Sequence, residues 1–235
     1  MIDFYNADCL PAMKKYPHKH FDLAIVDPPY GINATKMSMG TNLKRSKNGY
    51  SGESTATRLR KGRLNQGPGK LKNRALNTLN CDWDFSPPSD EYFAELFRIS
   101  KNQIIFGGNY FNLPPTRGIF VWDKVQPWYN FSQIELAWTS FDCTAKIFRF
   151  SNRGGRNEEK RICATQKPIE LYEWILRNYA KSGDLILDTH VGSGSSLIAY
   201  DLHGHNCVGY ELDKEQFERT SLRLERHKSQ IRFEL

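Results

Sequence analysis

The stretch DLILDTHVGSGSSLIAYDLHGHNCVGYEL, residues 184–212, decides the fold class. Its first five residues are an apolar run closed by Asp188 and read as a strand. The next segment holds Gly192, Ser193 and Gly194, and SLIAYDL after it reads as a helix. NCVGYEL (206–212) is a second strand with Glu211 near its end. Strand, glycine loop, helix and strand in this order imply a parallel βαβ unit. Open sheets of this kind bind ligands at the carboxyl edge of their strands, and small residues there let a ligand approach the backbone. An acid placed like Glu211 suits the hydroxyls of a ribose. The loop lacks GxGxxG, since only Gly192 and Gly194 are in place, which disfavours a dinucleotide site. Taken alone, the loop also reads as an ordinary tight turn.

Upstream of this unit, Pro168 stands at a helix start, IELYEWILRNYA has helical spacing, and Gly183 is placed to end that helix. Asp213 is placed to cap a last, highly charged helix running to about Lys228. Further strands are predicted at 103–108 (QIIFGG), 118–123 (GIFVWD) and 133–140 (QIELAWTS). Ser89 or Asp90 is placed to cap a helix with Phe93, Leu96 and Phe97 on its apolar face. Trp83, Trp122, Trp138 and Trp174 read as packing residues rather than stacking platforms.

A second chemical signal lies near the start, in FDLAIVDPPYGI (21–32). Residues 22–26 read as a strand buried on both faces. Proline cannot extend the ladder, so the chain leaves the sheet at Pro28-Pro29. A carboxylate (Asp27), the Pro28 carbonyl and an aromatic ring (Tyr30) are thereby held at a strand end. Two rigid acceptors beside a π-face suit a planar group bearing an exocyclic amine. Read by itself, the same tetrapeptide is also a strand stop followed by a turn.

Length and charge set the frame. The chain has 235 residues, enough for one α/β domain with an insertion. Its formal charge of +7 and pI of about 9.1 suggest a polyanionic partner. Residues 33–80 hold eleven Lys or Arg against one acid, Glu53, while the rest of the chain has 22 basic and 25 acidic side chains. The basicity therefore belongs to one segment, which reads as a long loop or mobile insertion, functional or simply solvated and disordered. A shorter basic segment, 144–163, holds Arg149, Arg153, Arg156, Lys160 and Arg161. Five scattered cysteines without a CxxC pair argue against a disulfide framework and against zinc. Neither a signal peptide nor a run of membrane-spanning length is evident, so a cytoplasmic protein is expected.

Together, Asp27-Pro28-Pro29-Tyr30 and DTHVGSG (188–194) resemble the DNA amino-methyltransferases. GYELD (209–213), Gln166-Lys167-Pro168 and NADC (6–9) resemble further segments of that family, and the likeness covers about residues 1–32 and 81–228. The catalytic signature precedes the cofactor loop, which is the permuted β-class order. The resemblance implies an α/β fold: an open, mostly parallel, doubly wound, Rossmann-like sheet with helices on both faces. It implies S-adenosyl-L-methionine as cofactor, held by Asp8, Lys167, Asp188, Thr189, Val191, Gly192, Gly194, Ser195 and Glu211, and no metal. It implies methylation of N6 of an adenine flipped out of double-stranded DNA, with Asp27, Pro28, Pro29 and Tyr30 catalytic and Tyr30 stacking on the base. Alternatives are N4-cytosine or RNA as target, or a nucleic-acid-binding protein with a decayed methyl-transfer site. Thr189-His190 replace the usual Pro-Phe of the cofactor loop. Residues 144–163 stand in place of a full target-recognition domain. Lys44, Arg45, Lys47, Arg58, Arg60, Lys61, Arg63, Arg153 and Arg156 are the candidate DNA contacts, and the expected assembly is a monomer or homodimer in a bacterial or phage-host cytoplasm.

Overall fold

The structure, a computed structural model, describes residues 1–32, 86–125, 132–151, 162–163 and 165–231. Residues 33–80, with seven of the nine candidate DNA contacts, lie outside the described residues, as do Trp83, Arg153 and Arg156.

The described chain forms β1 (Ile2–Asn6), α1 (Cys9–Met13), β2 (Phe21–Val26), α2 (Asp90–Ile99), β3 (Ser100–Phe106), β4 (Ile119–Asp123), β5 (Ile134–Thr139), β6 (Lys146–Arg149), α3 (Ile169–Tyr179), β7 (Leu185–Asp188), α4 (Ser195–Leu202), β8 (Asn206–Glu211) and α5 (Lys214–Ile231). One sheet of eight strands runs in the order β1-β8-β7-β2-β3-β5-β4-β6. Every pairing is parallel except the two made by β5, which lies antiparallel to both β3 and β4. The expected mostly parallel, doubly wound sheet is borne out.

Helices cover both faces because the central strands are apolar on both. On one face Leu23, Ile25, Ile104, Phe106 and Ile186 pack with Leu171 and Ile175 of α3 and Leu197 and Tyr200 of α4. On the other, Ala24, Val26, Ile105 and Leu187 pack with Met13 of α1 and Tyr92, Leu96 and Ile99 of α2. Each large side chain buried this way contributes roughly 1.5–3 kcal/mol. Ser89 caps α2 by accepting from the Tyr92 N–H at 3.3 Å, with Asp90 and Glu91 in the first turn and Arg98 in the last, each complementing the helix dipole. Phe97 is only half buried and meets Trp138 edge-on.

Three elements were not anticipated: β1, α1 and β6. β6 opens the basic segment 144–163, and its Arg149 pairs with Asp123 at 2.8 Å. The helix after Pro168 ends at Tyr179 rather than at Gly183. There the Asp184 side chain accepts from the Lys181 N–H at 2.8 Å and starts a turn that competes with further helix. Asp213 caps α5 through the Gln216 N–H at 2.7 Å. Among the described residues, no helix is long and apolar enough to cross a membrane.

Candidate active site

The two chemical segments, far apart in sequence, end on neighbouring strands. β2 and β7 pair in parallel (Leu23 with Ile186, Ala24 with Leu187), so Asp27 and Asp188 leave the sheet side by side at its carboxyl edge. β8 lies beyond β7 and brings Glu211 to the same edge. β1 follows and places Asp8 just past its own end, where the exposed Asp8 carboxylate caps α1 through the Leu10 N–H at 3.0 Å.

The glycine loop is held from two sides. Glu211 accepts from the Gly192 N–H at 2.9 Å through Oε2 and from the Asp213 N–H at 2.9 Å through Oε1. Behind the loop, α5 binds its carbonyls. Gln216 Nε2 donates to Gly192 O at 3.1 Å, Thr220 Oγ1 to the same oxygen at 2.5 Å, and buried Arg223 to Ser193 O at 2.8 Å and Ser195 Oγ at 3.1 Å. The Val191 N–H donates to Tyr210 O at 3.0 Å. Gly194 sits at φ +74°, and a Cβ there would come within 2.6 Å of Thr220 Cγ2, so only glycine fits.

Asp188 is 2% exposed and accepts from Ser196 Oγ at 2.6 Å and the His190 N–H at 3.1 Å. Burial outweighs these bonds and pushes its carboxyl up to about 7. Thr189 Oγ1 shares a hydrogen bond with Tyr92 OH at 2.6 Å and another with His190 Nδ1 at 2.9 Å. The His190 ring meets Tyr92 edge-on, and burial lowers its pKa to about 4, so it is neutral at pH 7.

On the other side of the edge, Asp27 belongs to a cluster of charges that sequence reasoning did not assemble. Asp27 Oδ1 lies 2.6 Å from Tyr30 OH, and Oδ2 accepts from the Lys167 ammonium. Glu135 Oε1 lies 2.7 Å from the same Tyr30 OH and 3.0 Å from Lys167 Nζ, and Lys124 Nζ is 3.2 Å from Glu135 Oε2. Lys167 is 5% exposed and its ammonium stands 4.6 Å over the Phe106 ring. Burial raises the Asp27 carboxyl, with Lys167 opposing. For Glu135, burial also pushes upward, but Lys167 and Lys124 outweigh it and bring the carboxyl to about 2. Lys167 is held above its ordinary value because Asp27 and Glu135 outweigh its desolvation.

Tyr30 stacks on Tyr110 with centroids 5.0 Å apart and planes 14° apart. Gly107, φ +67°, also lies against Tyr30, and any side chain there would collide with the ring. Lys167, expected at the cofactor, thus has its charged end on Asp27, the candidate catalytic residue. Asp27, expected to receive an amine, already faces two donors, although a carboxylate has about four lone-pair sites. Glu135 was missed, yet the lone acid in QIELAWTS was a usable signal, since charges in apolar strands are rarely buried unpaired. For Tyr110, Tyr92 and Arg223 the sequence offers none.

Comparisons with known proteins point the same way. The N6_N4_Mtase family model, a DNA methylase family, matches residues 120–222. A type II methyltransferase of Streptococcus pneumoniae, M2.DpnII, is 26% identical over 146 residues, 62% of this chain and 50% of that protein. The type II methyltransferase M.MthZI of Methanothermobacter thermautotrophicus is 34% identical over 94 residues, 40% of this chain and 23% of that protein. The chain thus spans half or less of the length of these relatives. Among solved structures, the M1.HpyAVI–SAM complex superposes with a TM-score of 0.54 at 20% identity, covering 95% of this chain and 99% of that one. The protein TTHA0409 of Thermus thermophilus, complexed with S-adenosyl-L-methionine, gives 0.51 at 15% identity, covering 97% and 96%. The cytosine-N4-specific PvuII DNA methyltransferase gives 0.54 at 12% identity, covering 94% and 86%. The resemblance to the DNA amino-methyltransferases, drawn from the motifs, is borne out.

Proposed function

We propose that this chain transfers a methyl group from S-adenosyl-L-methionine to N6 of an adenine flipped out of double-stranded DNA. The observation that carries the reading is the adjacency of β2 and β7, which sets Asp27-Pro28-Pro29-Tyr30 beside the glycine loop and Glu211 at one sheet edge. The DNA methylase match and the type II methyltransferase relatives support the reaction class. The residues at the edge also fit the cofactor. Among the described residues, a side chain at Gly192 would have only the His190 carbonyl within 4 Å, which leaves room over the loop. Glu211, although it accepts two backbone N–H groups, keeps lone pairs for the hydroxyls of a ribose. Asp8, Thr189, Val191, Gly194 and Ser195 complete that side.

When bound, the cofactor supplies an electrophilic methyl group. The N6 lone pair of adenine is delocalised into its ring, which makes N6 a poor nucleophile. Asp27 and the Pro28 carbonyl accept the two amine hydrogens, favour a pyramidal nitrogen and offset its developing positive charge. Positioning does most of the rest. The tetrapeptide Asp27-Pro28-Pro29-Tyr30 as a whole resembles the adenine-type form of the signature, and that resemblance is what favours adenine. Cytosine N4 presents the same pair of hydrogens and is the reading to test against. Incubation with labelled S-adenosyl-L-methionine and unmethylated DNA, followed by base analysis, is expected to give N6-methyladenine. N4-methylcytosine would overturn the choice of base, and label in RNA alone the choice of nucleic acid. No transfer to any nucleic acid would overturn the reaction.

A further inference from the structure

Asp27 has a donor on each oxygen, and both donors also face Glu135. Tyr30 OH stands between Asp27 Oδ1 at 2.6 Å and Glu135 Oε1 at 2.7 Å. The Lys167 ammonium stands between Asp27 Oδ2 and the same Glu135 Oε1, at 3.0 Å from the latter. A phenol has one hydrogen, so Tyr30 donates to only one of the two carboxylates at a time. A buried ammonium cannot be left without a counter-charge, because its desolvation costs several kcal/mol. Lys167 is 5% exposed, so it must keep an anionic partner wherever it turns.

This geometry conflicts with what the proposed reaction asks of Asp27. A carboxylate clamped by an ammonium and a phenol is a weak acceptor for an amine, and a cation beside it opposes the positive charge that grows on the nitrogen. Deprotonating Lys167 is uphill in this setting. Moving it into solvent breaks a buried pair. Turning its contact towards Glu135 requires neither.

We infer that Glu135 is a positioning residue: it takes over Lys167 and the Tyr30 hydrogen from Asp27, so that Asp27 is free to receive the substrate amine. The inference rests on the reaction proposed above. Three features fit Glu135 for the part. It lies at the start of β5, which is antiparallel, so its first residues reach the same edge as the ends of the parallel strands. Lys124 holds its other oxygen at 3.2 Å, which fixes the carboxylate while Oε1 exchanges donors. It is also partly buried, with 13% of its side chain exposed, which limits the access of competing water. With two acids and two ammonium groups, the cluster stays neutral as contacts move from one acid to the other.

The test is a kinetic cycle on Glu135 and Lys167 in the full chain. Glu135→Gln should lower kcat for methyl transfer by about tenfold to a hundredfold, the range over which contacting residues couple. Affinity for S-adenosylhomocysteine and KM for DNA should stay within about threefold. Adding Lys167→Gln to this variant removes the clamp and should raise kcat, a rescue that a merely structural role would not produce. If Glu135→Gln alone does not fold, the charge-balanced double variant is compared with Lys167→Gln. The two should then differ by less than about threefold, since Glu135 matters only while Lys167 is present. Unchanged kcat in Glu135→Gln would overturn the inference. So would a double variant slower than Glu135→Gln, or a loss of kcat on removing Glu135 that is as large without Lys167 as with it. Asp27→Ala separates this from failure of the reaction itself. If Asp27→Ala is inactive and Glu135→Gln is normal, only the hand-over fails. If Asp27→Ala is active, the catalytic assignment fails with it.

Discussion

If Asp27 receives the substrate amine, as proposed, replacing it by alanine removes an acceptor from the reacting nitrogen and leaves the glycine loop untouched. Methyl transfer should fall by about a hundredfold or more, the scale of removing one transition-state electrostatic interaction, while S-adenosylhomocysteine still binds in calorimetry. Near-normal turnover would place the chemistry elsewhere. Asp188 carries a different signature. Burial raises its carboxyl to about 7, against an ordinary value of about 4. Between these values the native state holds a proton that the unfolded state has released. This group therefore contributes stability that is complete below about pH 4 and lost as pH rises through about 7. Asp188→Asn cannot titrate. In urea unfolding of the cofactor-free protein, its stability relative to the native sequence should rise steadily across that window. A constant difference would show that Asp188 is already ionised in the folded state.

At the scale of elements, the glycine loop depends on α5. Arg223, Gln216 and Thr220 come from three successive turns of that helix and bind the loop's carbonyls. Arg223→Ala leaves Ser193 O without its charged donor, and should cost about 1.5–3 kcal/mol in S-adenosylhomocysteine affinity or in stability. Amide exchange of the loop, compared in the two proteins, shows which is lost. Gly194→Ala should be destabilising for two separable reasons: a left-handed φ of +74° and a Cβ within 2.6 Å of Thr220 Cγ2. Thr220→Ser removes that methyl but keeps the hydroxyl that reaches Gly192 O. The double variant should therefore recover the steric part and retain a residual cost of about 1–2 kcal/mol from the backbone. No recovery in thermal unfolding would mean that the methyl group is not the cause. β5 matters in the same way. As an antiparallel strand it delivers its first residues, Glu135 among them, where parallel strands deliver their last.

Over the whole molecule, charge is unevenly distributed along the chain. Residues 33–80 carry the excess of Lys and Arg, and the rest carries a small excess of acids. If that segment binds phosphates, shortening it while keeping residues 27–32 should weaken DNA binding. The plot of log K against log[salt] should become shallower by about 0.9 for each phosphate no longer neutralised. Cofactor affinity should not change, because the glycine loop, Glu211 and α5 are all elsewhere. An unchanged salt slope would move the search for the DNA-binding face to residues 144–163.

The sequence by itself determined the sheet class, the permuted order of its segments and the strand ends that hold Asp27, Asp188 and Glu211. It could do so because these are local signals: apolar runs, proline stops and a glycine turn each constrain the backbone within a few residues. It located the helix after Pro168 but misjudged its end, since the competing Asp184 turn depends on a side-chain bond. It missed β1 and β6, short strands at the two edges of the sheet, whose exposed faces weaken the apolar signal. Only the tertiary structure decided that β2 and β7 are neighbours, that Lys167 turns to Asp27 and that Glu135 faces it from an antiparallel strand. Those facts depend on which strands pair and in which direction, and that is set by how the apolar faces of distant segments pack together.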